Sequence, residues 1–217
     1  MRSDEPEDAR RLGMFPLESV LFPGAILPLH VFEPRYRQMM ADCVSGDAMF
    51  GVVLISRGSE VGGGDQRVGV GTEARIEEAS RLTDGRWAVV ARGVRRIVVE
   101  SWLSEDPYPL ATVRALPSAS VGAAQGVVDE AGAAVRRARA LLSELGQGPT
   151  LPEPPEMTSA HDPEAPVWHL CSSAPLGAMD RQRLLEIDAP AERIAVLTEL
   201  ALQVTEDLHR LLAQGPS

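Results

Sequence analysis

The sequence contains no lysine, because all 21 of its basic side chains are arginine. A P-loop needs a lysine that reaches the nucleotide phosphates, so a P-loop site is excluded. A Schiff-base enzyme and a Ser-Lys dyad are excluded as well, since both need an amine that can lose its proton and a guanidinium cannot. Any activity must therefore come from other residue types.

Aromatic residues and positive charge are also scarce. The 217 residues include 4 Phe, 3 Trp and 2 Tyr, too few for the stacking platforms that bind single-stranded nucleic acids. The 31 acidic residues outnumber the 21 basic ones and give a net charge of −10, whereas nucleic acids and anionic membranes attract basic surfaces. We expect neither nucleic acid nor a membrane as a partner.

The 2 cysteines, Cys43 and Cys171, lie far apart, and no C-x-x-C motif occurs. A zinc ribbon or a thioredoxin-like motif is therefore not predicted, and we expect two buried, reduced thiols, no metal and no cofactor. No apolar run approaches the roughly 18 residues of a membrane span, and the polar start of the chain lacks the apolar segment of a signal peptide. We expect a cytoplasmic protein.

The pattern of apolar residues changes from strand-like to helical at Pro117. From Met14 to Leu116, short apolar runs alternate with Gly, Pro and Asp, which favours a small, partly open β-barrel over a parallel α/β sheet. The predicted strands are Ala25–Phe32, Met49–Ser56, Glu73–Leu82, Arg86–Arg92, Val94–Leu103 and Leu110–Leu116. Asp84-Gly85 predicts a tight hairpin, because both residues can adopt positive φ.

A helix is predicted over residues 34–43, within the strand-rich part. Pro34 suits the first helical position, where its missing N–H is not needed. The apolar residues that follow at helical spacing form one stripe, which places Cys43 in the core: Tyr36, Met39, Met40 and Cys43.

Two long amphipathic helices follow Pro117. Their apolar seams are Val121, Ala124, Val128, Ala131, Val135, Ala138, Leu142 and Leu145 in the first and Ile194, Leu197, Ala201, Val204, Leu208 and Leu211 in the second. Short helices are predicted at Val167–Ala174 and Met179–Ile187, and six prolines make residues 146–166 a loop. We expect an α+β protein with a disordered tail over 1–12, a β-rich lobe over 13–117 and a helical bundle over 118–213.

The candidate binding residues lie in the Pro-rich apolar segments 15–17 and 21–29. Proline cannot donate a ladder hydrogen bond, so such a segment belongs at a sheet edge or a bend. A free apolar edge could accept an extended polypeptide by strand addition, unless the helix over 34–43 covers it. The predicted contacts, chosen for expected exposure, are Phe22, Pro23, Leu27 and Leu29, with Trp102 and Tyr108 as aromatic anchors.

Other polar residues carry weaker signals. Arg92, Arg95 and Arg96 form a basic cluster that either protects a strand edge or contacts an acidic motif. His30 has no evident acid–base partner and is interpreted as a structural, hydrogen-bonded histidine. No set of nucleophile, base and orienting group is visible, so no catalytic residue is assigned.

Several of these segments resemble a known family. The run Phe15-Pro16-Leu17, Val20–Gly24 and Leu27–Arg37 closely resembles the opening of the N-terminal, substrate-binding domain of Lon proteases. The resemblance spans roughly 14–212 and continues at Phe50–Val52, Val70–Ile76, Asp84–Arg86, Gly93–Arg96, Pro107–Tyr108 and, weakly, Asp180–Glu186.

The resemblance implies a β-rich, PUA-like pseudo-barrel followed by a helical lobe. It also implies a free-standing, non-catalytic module without the AAA+ motor and Ser-Lys protease of Lon, acting as an adaptor or holdase. The implied partners are unfolded or apolar polypeptide segments and a Lon-type protease, with a homo-oligomer possible. The alternatives are a regulatory protein that binds a small molecule in a cleft between the lobes, or a peptidase whose site the sequence does not reveal.

Overall fold

The computed structural model describes residues 9–57, 66–117, 123–145 and 162–214. The chain divides into two compact units, Met1–Pro117 and Ser118–Ser217. The first unit contains β1 (Ala9–Leu17), β2 (Ile26–Val31), α1 (Pro34–Ser45), β3 (Met49–Arg57), β4 (Gln66–Arg81), β5 (Trp87–Trp102) and β6 (Leu110–Ala115). The second contains α2 (Gln125–Glu144), α3 (Ala165–Ser173), α4 (Ala178–Glu186) and α5 (Pro190–Gln214).

Five strands of the first unit close into a barrel in the order β5, β4, β3, β1, β6, with β6 pairing back to β5. The β1–β3 pair is parallel and the other pairs are antiparallel. The sixth strand, β2, pairs with the first half of β5, from Trp87 to Arg92. The second half of β5, from Ile97 to Trp102, pairs with β6. The predicted α+β class is confirmed.

Strand β5 runs unbroken through Gly93, where the sequence analysis predicted two separate strands. That prediction was wrong because Gly93 continues the ladder: its N–H donates to the Ala25 carbonyl at 2.9 Å, and its carbonyl accepts from Gly24 N–H at 2.7 Å. A side chain at Gly93 would collide with the carbonyl oxygen of Phe22. Glycine here allows close approach of two backbones without ending the strand.

The predicted disordered tail was wrong for residues 9–12, which begin β1. Ala9 to Gly13 pair with Arg114 to Leu110 of β6. Leu12 is buried, and the guanidinium of Arg10 contacts the buried carboxylate of Glu73. The pairing with β6 and the ion pair together hold this segment in place, although its polar composition predicted a disordered tail. Residues 1–8 of that tail lie outside the described residues.

The β4–β5 hairpin closes through a three-residue loop, Thr83 to Gly85. Leu82 N–H donates to Arg86 O at 2.8 Å, and Gly85 N–H donates to Leu82 O at 2.9 Å. Gly85 has a φ of 82°, whereas Asp84 is not in the positive-φ conformation that it could adopt. The Asp84 carboxylate instead accepts the Arg86 N–H at 3.0 Å.

The apolar face of α1 packs into the main core of the first unit, as its spacing predicts. The ring of Tyr36 stacks on Phe15 of β1 with 4.3 Å between centroids. Cys43 lies in the same core, and its thiol donates to the carbonyl of Met49 at 3.3 Å. Burial and the neighbouring carboxylates of Asp47 and Asp42 raise the pKa of Cys43 to about 12, so it is a protonated core residue.

In the second unit, α2 and α5 pack against each other, and both short helices are present. The buried residues of α2 are mostly small: Ala131, Gly132, Ala134, Val135 and Ala138. The first predicted seam residue of this helix, Val121, lies outside the described residues. Leu211, predicted on the buried seam of α5, is 51% exposed. Within the described ranges, no helix combines the length and hydropathy that a membrane span requires.

Candidate functional site

The barrel has an opening between β2 and the C-terminal half of β1. Residues 9–13 of β1 pair with β6, whereas residues 14–17 pair only with β3 among the described strands. Strand β2 lies at the edge of the sheet. Among the described residues, it pairs only with β5. Between these two edges lies a cavity of about 200 Å³, which we call the β1–β2 cleft. Its apolar lining residues are Phe15, Leu17, Leu29, Val31, Phe32 and Tyr36.

The register of β2 determines which backbone groups reach the opening. Gly93 N–H donates to Ala25 O, so Ala25 faces β5 and the odd-numbered residues after it do the same. The backbone groups of Ile26, Pro28 and His30 therefore point away from β5. Proline lacks the N–H donor, so Pro28 occupies a position where no ladder bond to β5 is lost.

Helix α1 forms the floor of the β1–β2 cleft without closing it. Tyr36 lines the cleft from α1 and is buried against Phe15. At the rim, Pro28 and His30 are exposed, and Phe32 is 56% exposed. Between the two alternatives drawn from the sequence, this geometry favours a reachable edge over one covered by α1.

A second depression lies on the outer face of the sheet formed by β2, β5 and β4. This outer trough has a volume of about 570 Å³ and shares Pro28 and His30 with the rim of the cleft. Small side chains such as Ala88 and Ser80 line it, and Glu78 is the only carboxylate that the described part of the chain contributes to it. The free edge of β2 thus borders an aromatic cleft on one face and a shallow trough on the other.

Two of the predicted contacts, Phe22 and Pro23, are buried, so their expected exposure was wrong. Phe22 has no exposed surface. The hydroxyl of Thr72 on β4 donates to the Leu21 carbonyl at 2.6 Å and holds this segment against the barrel. Phe22 and Pro23 are therefore part of the interior.

Leu27 and Leu29 are half-buried on the inner face of β2, packed against the main core. Leu29 lines the β1–β2 cleft, whereas Leu27 is not among its lining residues. The structure thus places one of the four predicted edge contacts in the cleft itself.

The two predicted aromatic anchors lie outside the cleft lining. Trp102 is 38% exposed, and the guanidinium of Arg67 covers its ring at 4.6 Å from the centroid. The hydroxyl of Tyr108 donates to Asp42 Oδ2 at 3.0 Å. The pKa of Tyr108 is raised to about 12, mainly by burial and secondly by this hydrogen bond. Each ring already has an intramolecular partner.

The arginine cluster of β5 has intramolecular partners. Arg92 pairs with Glu77 at 2.5 Å, and Arg95 Nε donates to Glu73 at 2.6 Å. Arg96 is buried and donates to the Pro117 carbonyl at 3.2 Å. Since β5 lies inside the sheet, the expected role in protecting an edge was wrong.

Sequence reasoning missed Phe32, Glu33 and Tyr36 as cleft residues and gave His30 a structural role. The helical spacing of Tyr36 correctly placed it in the core. It did not show that the same side chain also lines the cleft. His30 is exposed on the rim, where its outward position follows from the period of two in a strand. Across the described ranges, no three His, Cys, Asp or Glu residues lie together as a metal site.

Residues 11–203 match the family model of the ATP-dependent protease La (LON) substrate-binding domain. The chain is 28% identical over 212 residues to Lon protease 2 of Sorangium cellulosum, covering 94% of this chain and 26% of that protein. It is 26% identical over 216 residues to the Lon protease of Cytophaga hutchinsonii, covering 95% and 26%. The chain therefore spans about a quarter of the length of these curated relatives.

Two solved structures of Lon N-terminal domains are also similar to this chain. A Lon N-terminal domain protein from Xanthomonas campestris is 28% identical, with a TM-score of 0.59 and coverage of 95% of this chain and 99% of that one. The N-terminal domain of the Mycobacterium avium complex Lon protease, at 18% identity, has a TM-score of 0.59 and covers 89% and 98%. The second likeness concerns the fold alone.

Proposed function

The chain belongs to the Lon substrate-binding domain family, and we propose that it binds unfolded or apolar polypeptide segments. The resemblance read from its sequence is confirmed by the match over residues 11–203, which is the observation that carries the proposal. The opening between β1 and β2 supports it, because an apolar cleft beside free backbone groups suits an extended chain.

We further propose that the module works without catalysis, as an adaptor or holdase for a Lon-type protease. The match is to the part of Lon that lacks the protease site. The sequence has no lysine with which to build a Ser-Lys dyad. Binding without chemistry would hold clients or present them to a partner that degrades them.

A small regulatory ligand is less well supported. Small-molecule pockets usually have volumes of about 300–1,000 Å³ and enclose most of the ligand. The β1–β2 cleft has about 200 Å³ and opens along a strand edge, and the outer trough of about 570 Å³ is a shallow depression that would not enclose a ligand. The size of the cleft suits one or two side chains of a longer chain.

The test is a titration of the protein into a labelled globular protein that has been reduced and carboxymethylated so that it cannot refold. We expect saturable binding at micromolar concentration and none to the same reporter in its native, folded form. No binding at high micromolar concentration would contradict the proposal. Incubation of the same mixture without ATP should leave the reporter uncut, whereas cleavage would favour a peptidase.

A further inference from the structure

Building on the proposed function, we infer that the free edge of β2 binds one extended segment by strand addition, and that this segment alternates apolar with long basic side chains. The occupant is thus defined by its backbone conformation and by the chemistry of its two faces. Three features of the first unit carry this inference: the backbone groups of β2, the β1–β2 cleft and the outer trough.

The backbone of β2 offers a short, well-defined row of partners. Ile26 and His30 each present an N–H and a carbonyl outward, and Pro28 between them presents a carbonyl only. Residues two apart in a strand lie about 6.8 Å apart, the same repeat as in an extended peptide. An added strand can therefore bond at Ile26 and His30, while Pro28 limits the ladder and disfavours long β-aggregation.

The cleft selects one face of the added strand. Side chains of an extended segment point alternately to its two faces, so every second one faces the cleft. There it meets the exposed side of Phe32 above a floor formed by the stacked rings of Phe15 and Tyr36, which are themselves buried. The Glu33 carboxylate at this end is already paired with Arg35 at 3.2 Å. A large apolar side chain fits this face.

The outer trough selects the other face by charge. Among the residues that the structure describes, Glu78 is the one carboxylate that lines it, and no arginine does. Nearby Arg92 is engaged by Glu77 and by the Gly24 carbonyl at 3.0 Å. Because Glu78 belongs to β4, two strands beyond β2, a basic group must be on a long side chain to approach it. Arginine or lysine meets this requirement, whereas an acidic segment would be repelled.

The most direct test changes the ligand and leaves the protein intact. The probe is a fluorescein-labelled peptide of alternating leucine and arginine, measured by fluorescence anisotropy. One version carries N-methyl groups on the leucines and another on the arginines, so that only one version blocks the N–H groups that face β2. We expect one version to lose at least about fivefold in affinity and the other to bind like the unmodified peptide. Equal effects of both modifications would overturn strand addition.

The protein variants test charge and edge separately. Glu78→Gln should weaken the leucine–arginine peptide about threefold or more, and Glu78→Arg should weaken it further and improve a leucine–glutamate peptide. Glu144→Gln, at an exposed position of α2, is the matched control and should change neither. His30→Pro removes the outward N–H and should weaken binding several-fold more than His30→Ala, which keeps that N–H and removes only the imidazole at the rim.

The outcomes separate this inference from the proposed function. If the unfolded reporter binds but the peptide ignores N-methylation and Glu78→Gln, the inference fails and the proposed function stands. If the reporter does not bind at all, the proposed function fails. If circular dichroism shows that His30→Pro does not fold, the N-methylated peptides still test strand addition, because they are measured with the unmodified protein.

Discussion

Arg193 donates from Nη1 to Glu164 Oε2 at 2.6 Å, and neither side chain has more than 1% of its surface exposed. The guanidinium also lies 3.7 Å from the ring centroid of Trp168 and donates to the carbonyls of Leu184 and Ile187. One buried cation thus links α3, the end of α4 and α5. A buried charge with so many partners is tolerated only while the whole set is present.

We predict that Glu164→Ala destabilises the second unit by about 3–5 kcal/mol, because it leaves the Arg193 charge buried without its carboxylate. Chemical denaturation followed by circular dichroism measures the change. Arg210→Ala, which breaks exposed pairs with Glu206 and Asp207, should change stability little. Equal losses for the two variants would contradict the assigned role of the buried pair.

We predict that stability declines at alkaline pH because of the buried thiols. Burial raises the pKa of Cys43 and of Cys171 from 9.0 to about 12. Below pH 9 both thiols are protonated whether the chain is folded or not, so their contribution is fully present. Between pH 9 and 12 the unfolded chain loses these protons first, and the free energy of unfolding therefore falls.

Denaturant titrations from pH 7 to alkaline pH follow this decline, with the Cys43→Ala/Cys171→Ala double variant as the control. The double variant should show a shallower fall with pH, even if its stability at neutral pH is lower. An unchanged slope would show that other groups cause the alkaline loss.

We predict that Gly85→Ala destabilises the β4–β5 hairpin by more than about 1 kcal/mol. Its φ of 82° disfavours any residue with a Cβ, and the added atom would meet the guanidinium of Arg37. Gly69→Ala is the matched control, since a Cβ there has no neighbour within 4 Å. Thermal unfolding compares the two; a Gly69→Ala loss as large as that of Gly85→Ala would argue against the backbone explanation.

We predict that Phe22→Leu costs up to a few kcal/mol of stability yet leaves affinity for the unfolded reporter unchanged. Phe22 is fully buried and packs the interior, so the substitution removes core contacts and no binding contact. Denaturation and reporter titration are measured on the same preparation. A folded variant with greatly reduced affinity would restore Phe22 as a contact.

The helices and most strands follow from apolar spacing, because each buries one apolar face within its own unit. The α1 stripe that includes Tyr36 and Met39 is an example. Pairing between distant segments is not encoded locally. Residues 9–12 are polar in composition and become a strand only because β6 and Glu73 lie beside them.

In the candidate site, too, some features follow from the local sequence, whereas others depend on pairing between distant segments. The prolines in residues 16–28 correctly pointed to an edge, since a missing N–H restricts where a strand can lie. Which side chains face outward depends on the register between β2 and β5, fixed by the bond between Gly93 and Ala25. Phe32, directly after β2, was missed because that register cannot be read from local sequence. Phe22 was wrongly predicted as exposed, because its segment is held against the barrel by a hydrogen bond from Thr72, a residue far away in sequence.

The account depends on β2 holding a polypeptide through its outward backbone. Hydrogen exchange of the Ile26 and His30 amides, recorded by NMR with and without saturating unfolded reporter, tests this most directly. We predict that both amides exchange at least about tenfold more slowly in the complex, while the amides of the exposed loop residues Thr83 and Asp84 do not change. Unchanged exchange at Ile26 and His30, with the reporter fully bound, would contradict the account.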